Sequence, residues 1–171
     1  MRILPFVALS AVLALSGCNR SPETAAQLEA MQASADAAAA ENLKAGQAYL
    51  TDVSKQPGVV RLPSGVLYKI VSQAKAPGAQ PKLSDTVTIN YEGKLINGKV
   101  FDSSYARNQP ASFPLTRLIT AWQQVIPLMH VGDEIMLYTP SSSGYGEADS
   151  EEIPSNSALI FRIQLLGIGG K

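Results

Sequence analysis

The residues most suited to chemistry in this sequence are a set of aromatic residues, one of which directly precedes a carboxylate. Tyr91 lies in a run where Val87, Ile89, Gly93 and Leu95 recur at every second position, and Phe101 directly precedes Asp102. The only tryptophan, Trp122, follows Leu118 and Ile119; Tyr145 sits between Gly144 and Gly146, and Phe161 falls in a late apolar run. Two readings compete for these residues. Rings at strand and helix positions are commonly plain core, a carboxylate after a buried Phe can cap a turn, and a tyrosine between glycines can anchor a loop. Alternatively, they wall a water-poor apolar pocket with one carboxylate at its edge. His130 is the only histidine, so a Ser-His-Asp triad could only be built on it, and it lies at a helix end beside no nucleophile and reads as surface. There is no clustered Cys/His metal site, no phosphate-cradling glycine loop and no nucleic-acid module. Acidic and basic residues number 14 each and no basic run occurs, which argues against a nucleic-acid partner.

Elements must hold these side chains in place. The alternation over residues 87–95 predicts a strand with one buried face. Asn97-Gly98 suits a tight hairpin turn because both residues tolerate positive φ, and the chain returns through residues 100–104. Leu118, Ile119, Trp122, Ile126 and Met129 have the spacing of a short helix with its apolar face toward that hairpin. Further strands are expected over residues 66–71, 135–138 and 159–165. Residues 19–54 are alanine-rich, and high helix propensity follows. Their apolar stripes (Leu28, Met31, Ala35, Ala38, then Leu43, Gly46, Leu50, Val53) are thin. Such a helix is either a spacer or an arm that pairs with a second copy through residues 21–54. Gln56-Pro57-Gly58 stops it.

Taken in order, Tyr91-Glu92-Gly93, residues 98–104 (Gly-Lys-Val-Phe-Asp-Ser-Ser), Leu118-Ile119 with Trp122, Met129, Val131-Gly132, Pro140, Gly144-Tyr145-Gly146, Ile153-Pro154, Asn156 and Leu159-Ile160-Phe161 resemble the pattern of FKBP-type peptidyl-prolyl isomerases. The resemblance covers roughly the last hundred residues. It implies an α+β fold: a twisted antiparallel sheet of five to six strands wrapped around one short helix, here preceded by an N-terminal helical segment. Residues 41–69 are similar to the stretch that joins dimerising helices to the isomerase domain in Mip-like proteins, although the arm here is much shorter.

The resemblance also implies roles. Trp122 would floor the site under a proline ring, with Tyr91, Phe101 and Phe161 as walls and Leu118 and Ile153 as aliphatic sides. The Ile119 N–H and the Tyr145 hydroxyl would hold substrate carbonyls. Asp102, tied to Tyr91 and Arg107, would orient and polarise rather than move a proton. An X–Pro bond rotates slowly because amide resonance raises a barrier of about 18–20 kcal/mol, and its cis and trans forms are close in energy. At the twisted transition state charge separation fades, so an apolar site that binds this state best accelerates rotation without metal or cofactor. Two positions and one loop depart from the family pattern. Ala121 stands where glycine is usual, Ala111 replaces a wall aromatic of some members, and the loop over residues 146–153 carries Glu147, Asp149, Glu151 and Glu152. The acidic loop is either a solvated face or a bias toward cationic residues flanking the proline.

Met1-Arg2, a short apolar run and Leu15-Ser16-Gly17-Cys18 resemble a bacterial lipoprotein leader, with the sole cysteine as the acylated residue. Several acyl chains would anchor stably where one is marginal. Asn19, where Asp would retain the protein at the inner membrane, implies the outer membrane facing the periplasm. The expected division is residues 1–17 as leader, 18–57 as spacer or dimerisation arm, and 58–171 as isomerase domain. The expected function is isomerisation of X–Pro bonds in unfolded or exported polypeptides. The alternative is a periplasmic chaperone that grips unfolded chains with little isomerase activity.

Overall fold

A computed structural model of the chain describes residues 22–76 and 78–169. The expected leader over residues 1–17 and the expected acylation site, Cys18, lie outside them. Helix α1, Pro22–Ser54, is 33 residues long, as its alanine content leads one to expect. It ends where the Lys55 and Gln56 N–H groups bond back to Asp52 and Val53 carbonyls and Gly58 takes φ of 78°. The helix runs through two compact units, one ending at Ser34 and one beginning at Ala35. Up to Ser34 the described side chains of the first unit are exposed. In the second unit the helix does not stand free. Val53 is 2% exposed and packs with Leu67, Tyr138 and Ile160, flanked by Tyr49 and Leu50. Leu43, on the expected apolar stripe, is 38% exposed instead.

The sheet is antiparallel and seven-stranded: β1 (Val59–Arg61), β2 (Leu67–Ser72), β3 (Thr86–Leu95), β4 (Val100–Ser103), β5 (Ala111–Pro114), β6 (Glu134–Thr139) and β7 (Leu159–Ile168). Their order is β1-β2-β6-β7-β3-β4, with β5 also on β3. This exceeds the expected five to six because β1 has only three residues and β5, four residues long, hides in the sequence between Pro110 and Pro114. Along β3 buried and half-buried residues alternate without a break, which is the period of a pleated strand with one face to the core.

The hairpin differs in detail from the expectation. Only Gly98 has positive φ, at 90°; its N–H bonds to the Leu95 carbonyl, and the Leu95 N–H bonds to the Lys99 carbonyl. A left-handed glycine therefore closes a three-residue loop. The short helix α2 is also smaller than its apolar spacing suggests, covering Thr120–Val125. Leu118 and Ile119 precede it in extended conformation, and Ile126 begins a 3-10 turn. Pro127 accounts for that ending, since it supplies no N–H and its ring clashes with an α-helical turn. The core between α2 and the sheet contains Val87, Ile89, Leu115, Val125, Ile126, Ile135, Leu137, Leu159, Ile163 and Leu165.

Candidate active site

Strands β4 and β5 share one edge of β3. β4 pairs with Glu92, Gly93 and Lys94, while β5 pairs with Thr86 to Ile89. Tyr91 falls in the gap between them. There its N–H bonds to the Ser104 hydroxyl at 2.8 Å and its carbonyl accepts the Ser104 N–H at 2.9 Å. Ser104 is fully buried, so one serine replaces the missing strand and lets residues 104–110 loop outward with Arg107. Opposite Gly93, on the neighbouring strand, stands Phe161. A Cβ at Gly93 would lie 2.6 Å from the Phe101 ring and 2.9 Å from Phe161. Only glycine allows those two rings to meet edge to face at 5.8 Å.

Trp122, in the first turn of α2, is met edgewise by Tyr91 at 5.4 Å, Phe161 at 5.2 Å and Phe113 at 6.5 Å. These are the favoured arrangements for aromatic quadrupoles. Above the indole opens a cavity of about 230 Å³ lined by Tyr91, Phe101, Asp102, Phe113, Leu118, Ile119, Trp122, Tyr145 and Phe161. That is below the roughly 300–1,000 Å³ of sites for drug-sized ligands, and suits one small ring with its flanking peptide group. The extended segment before α2 is fixed by the Gln123 side chain, whose Nε2 donates to the Leu118 carbonyl at 2.7 Å. The Ile119 carbonyl caps the helix by accepting the Trp122 and Gln123 N–H groups, whereas the Ile119 N–H finds no acceptor among the described residues.

Charge sits at one edge of this apolar cup. The Tyr91 hydroxyl donates to Asp102 Oδ2, Arg107 donates to Asp102 Oδ1, and a second guanidinium nitrogen donates to the Tyr91 oxygen at 3.0 Å. Burial pushes the Asp102 carboxyl upward, but the bonds from Tyr91 and Arg107 outweigh it and hold the group below the ordinary aspartate value. Burial, then the bond to Asp102, pushes the Tyr91 hydroxyl up. Burial, then the Asp102 charge, does the same to Tyr145. The set is therefore an ionised carboxylate, a neutral phenol and a cation across the neutral range, with no group poised to transfer a proton. No three His, Cys, Asp or Glu side chains among the described residues converge on a metal-sized site.

The structure brings Tyr91, Phe101, Asp102, Trp122, Tyr145, Leu118, Ile119 and Phe161 to one cavity. Arg107 reaches it through Asp102 and Tyr91 rather than by lining it. Ile153 lies apart from the lining and packs against the core, held in a turn in which its N–H donates to the Ser150 hydroxyl at 3.0 Å. Two contributors escaped sequence reasoning. Phe113 lines the cavity; the alternation of Ala111, Ser112 and Phe113 was its one signal. Ser104 had none, because a bridging serine looks like any loop serine.

Comparison with known proteins bears on this cup. A family model described as FKBP-type peptidyl-prolyl cis-trans isomerase matches residues 78–166. A second, described as the domain amino terminal to FKBP-type peptidyl-prolyl isomerase, matches residues 16–70. The FKBP-type peptidyl-prolyl cis-trans isomerase FkpA of Aeromonas hydrophila is 40% identical over 140 residues, covering 82% of this chain and 52% of that protein. The outer membrane protein MIP of Legionella longbeachae is 39% identical over 131 residues, 76% of this chain and 55% of that one. The chain thus spans about half the length of these relatives. The crystal structure of FkpA from Escherichia coli superposes with a TM-score of 0.76 at 36% identity, covering 88% of this chain and 74% of that one. With the family pattern, the fold and the aromatic cup all in agreement, the chain belongs to the FKBP-type peptidyl-prolyl cis-trans isomerase family.

Proposed function

We propose that the chain is a peptidyl-prolyl cis-trans isomerase that turns X–Pro bonds in unfolded or exported polypeptides. The observation that carries the reading is the apolar cavity floored by Trp122, with the Asp102 carboxylate held at its edge by Tyr91 and Arg107. The proline ring rests on the indole between Tyr91, Phe101 and Phe161. The unpaired Ile119 N–H holds one substrate carbonyl, and the Tyr145 hydroxyl, which has no hydrogen bond among the described residues, holds another. As the amide twists, its nitrogen loses conjugation and the group becomes less polar. An apolar surround then favours the twisted state over either planar one, and that difference is the catalysis. Asp102 and Arg107 set the field and the position of Tyr91; no bond is made or broken.

The chain is further read as a lipoprotein: residues 1–17 are removed, Cys18 is acylated, and the domain faces the periplasm from the outer membrane. The leader pattern and a relative named as an outer membrane protein support this. Residues 18–57 serve as spacer or dimerisation arm. A prolyl-isomerisation assay on the chain without residues 1–18 tests the activity. Turnover that falls at least tenfold in Trp122→Ala and in Asp102→Leu, each checked for folding by its Tm, supports it. No turnover, with suppressed aggregation of an unfolded client, favours the chaperone instead.

A further inference from the structure

We propose that the last turns of α1 position the active-site loop: Asn42 and Gly46 hold the segment that places Tyr145 in the pocket. The inference rests on reading that pocket as the isomerase site. Tyr145 is 47% exposed and its hydroxyl has no hydrogen-bond partner among the described residues, so its position is inherited from the backbone around it. That backbone is tied to the helix. Asn42 Nδ2 donates to the Ser155 carbonyl at 3.0 Å. The next residue, Asn156, takes a left-handed φ of 60° and gives its N–H to the Gly146 carbonyl at 2.8 Å. Gly146 adjoins Tyr145, and its own N–H bonds to the Ser141 carbonyl at 2.9 Å. The path from helix to pocket is thus a short run of main-chain bonds with one side-chain clasp at its start.

Gly46, one helical turn after Asn42 and on the same face, sets how close the helix lies. A Cβ there would fall 2.8 Å from the Ala158 Cβ and 3.4 Å from its nitrogen, so the glycine admits the chain just after Asn156. The rest of the seam is not filled. A groove of about 220 Å³ remains between Leu43 and Leu50 on the helix and Pro140, Ser141, Asn156 and Ala158 on the loop. With little side-chain packing there, the helix grips the loop through the Asn42 bond and the Gly46 contact, beside the loop's own tie from the Ser155 N–H to Asp149 Oδ1 at 3.0 Å. Neither residue touches substrate; both are positioning residues.

The test uses Asn42→Ala and Gly46→Ala in the chain without residues 1–18, alone and combined with Tyr145→Phe. Each α1 variant is expected to lower kcat/KM about three- to tenfold. In the Tyr145→Phe background the same change should cost clearly less, because the group it positions is already gone. Amide hydrogen exchange should speed up at Asn156 and Gly146 in Asn42→Ala. Wild-type kcat/KM in both α1 variants, or losses that multiply independently of Tyr145, overturn the proposal. If the unaltered chain does not isomerise, the functional reading fails, and exchange alone decides the clasp. Unchanged exchange at Asn156 then overturns it, and faster exchange sustains it.

Discussion

At the scale of single residues, the site is defined by which protons stay where they are. Asp102 is held below the ordinary aspartate value, so its folded-state interactions are fully present above its unfolded value of about 3.9. They are lost only as pH falls through the lower folded value. Tyr91 and Tyr145 are raised, so their hydroxyls remain protonated to beyond about pH 10. Between these limits nothing in the pocket titrates. We expect kcat/KM for a prolyl peptide to be flat from about pH 5 to about pH 9. A bell centred near neutrality, measured with an enzyme-independent readout of the peptide, would contradict this account. Asp102→Asn keeps the shape and removes the charge, and should cost about tenfold with the same flat profile. Arg107, half of whose side chain is exposed, should matter less. Arg107→Ala is expected to cost no more than about fivefold, shrinking at high salt.

At the scale of elements, the pocket depends on three strands meeting at one glycine. Gly93 on β3 leaves room for Phe101 from β4 and Phe161 from β7, and a Cβ there would press on both rings. Overpacking of this kind typically costs about 1–3 kcal/mol. Gly93→Ala should therefore lower the Tm and also cut kcat/KM by about tenfold or more, since the rings that yield are pocket walls. An unchanged pocket activity would mean the rings move without consequence. How much of this was readable in the sequence follows from the same physics. Tyr91, Phe101 and Trp122 could be placed because each sits in a periodic run or beside a turn signal that fixes which way it faces. The length of α2 could not: apolar spacing persists through Leu118 and Met129, while the extended ψ of Leu118 and the ring of Pro127 confine the helix between them. Phe113 lay on a strand too short, and too bounded by proline, to announce itself.

At the scale of the whole molecule, the least legible feature was the partner of α1. A stripe built from Gly46, Leu50 and Val53 has too little apolar area to declare what covers it, and the same pattern fits a spacer, a second copy or the chain's own sheet. The sheet covers its last turns at Tyr49, Leu50 and Val53, while the loop ahead of β7 meets it at Asn42 and Gly46. Val53 is sealed against Leu67, Tyr138 and Ile160, with Tyr49 and Tyr138 rings 6.3 Å apart. Removing that helix would bare Leu67, Tyr138 and Ile160, now 1%, 8% and 5% exposed. Burial of side chains of this size is worth about 1.5–3 kcal/mol each, and each kcal/mol moves the Tm of a domain this size by about 3–4 °C. A chain beginning at residue 35 keeps the packed turns and should melt with the longer form. One beginning at residue 58 should melt at least about 10 °C lower, and Val53→Ala alone should account for about 2 kcal/mol of the difference. Equal melting of the two truncations would show that the helix rests on the sheet without supporting it.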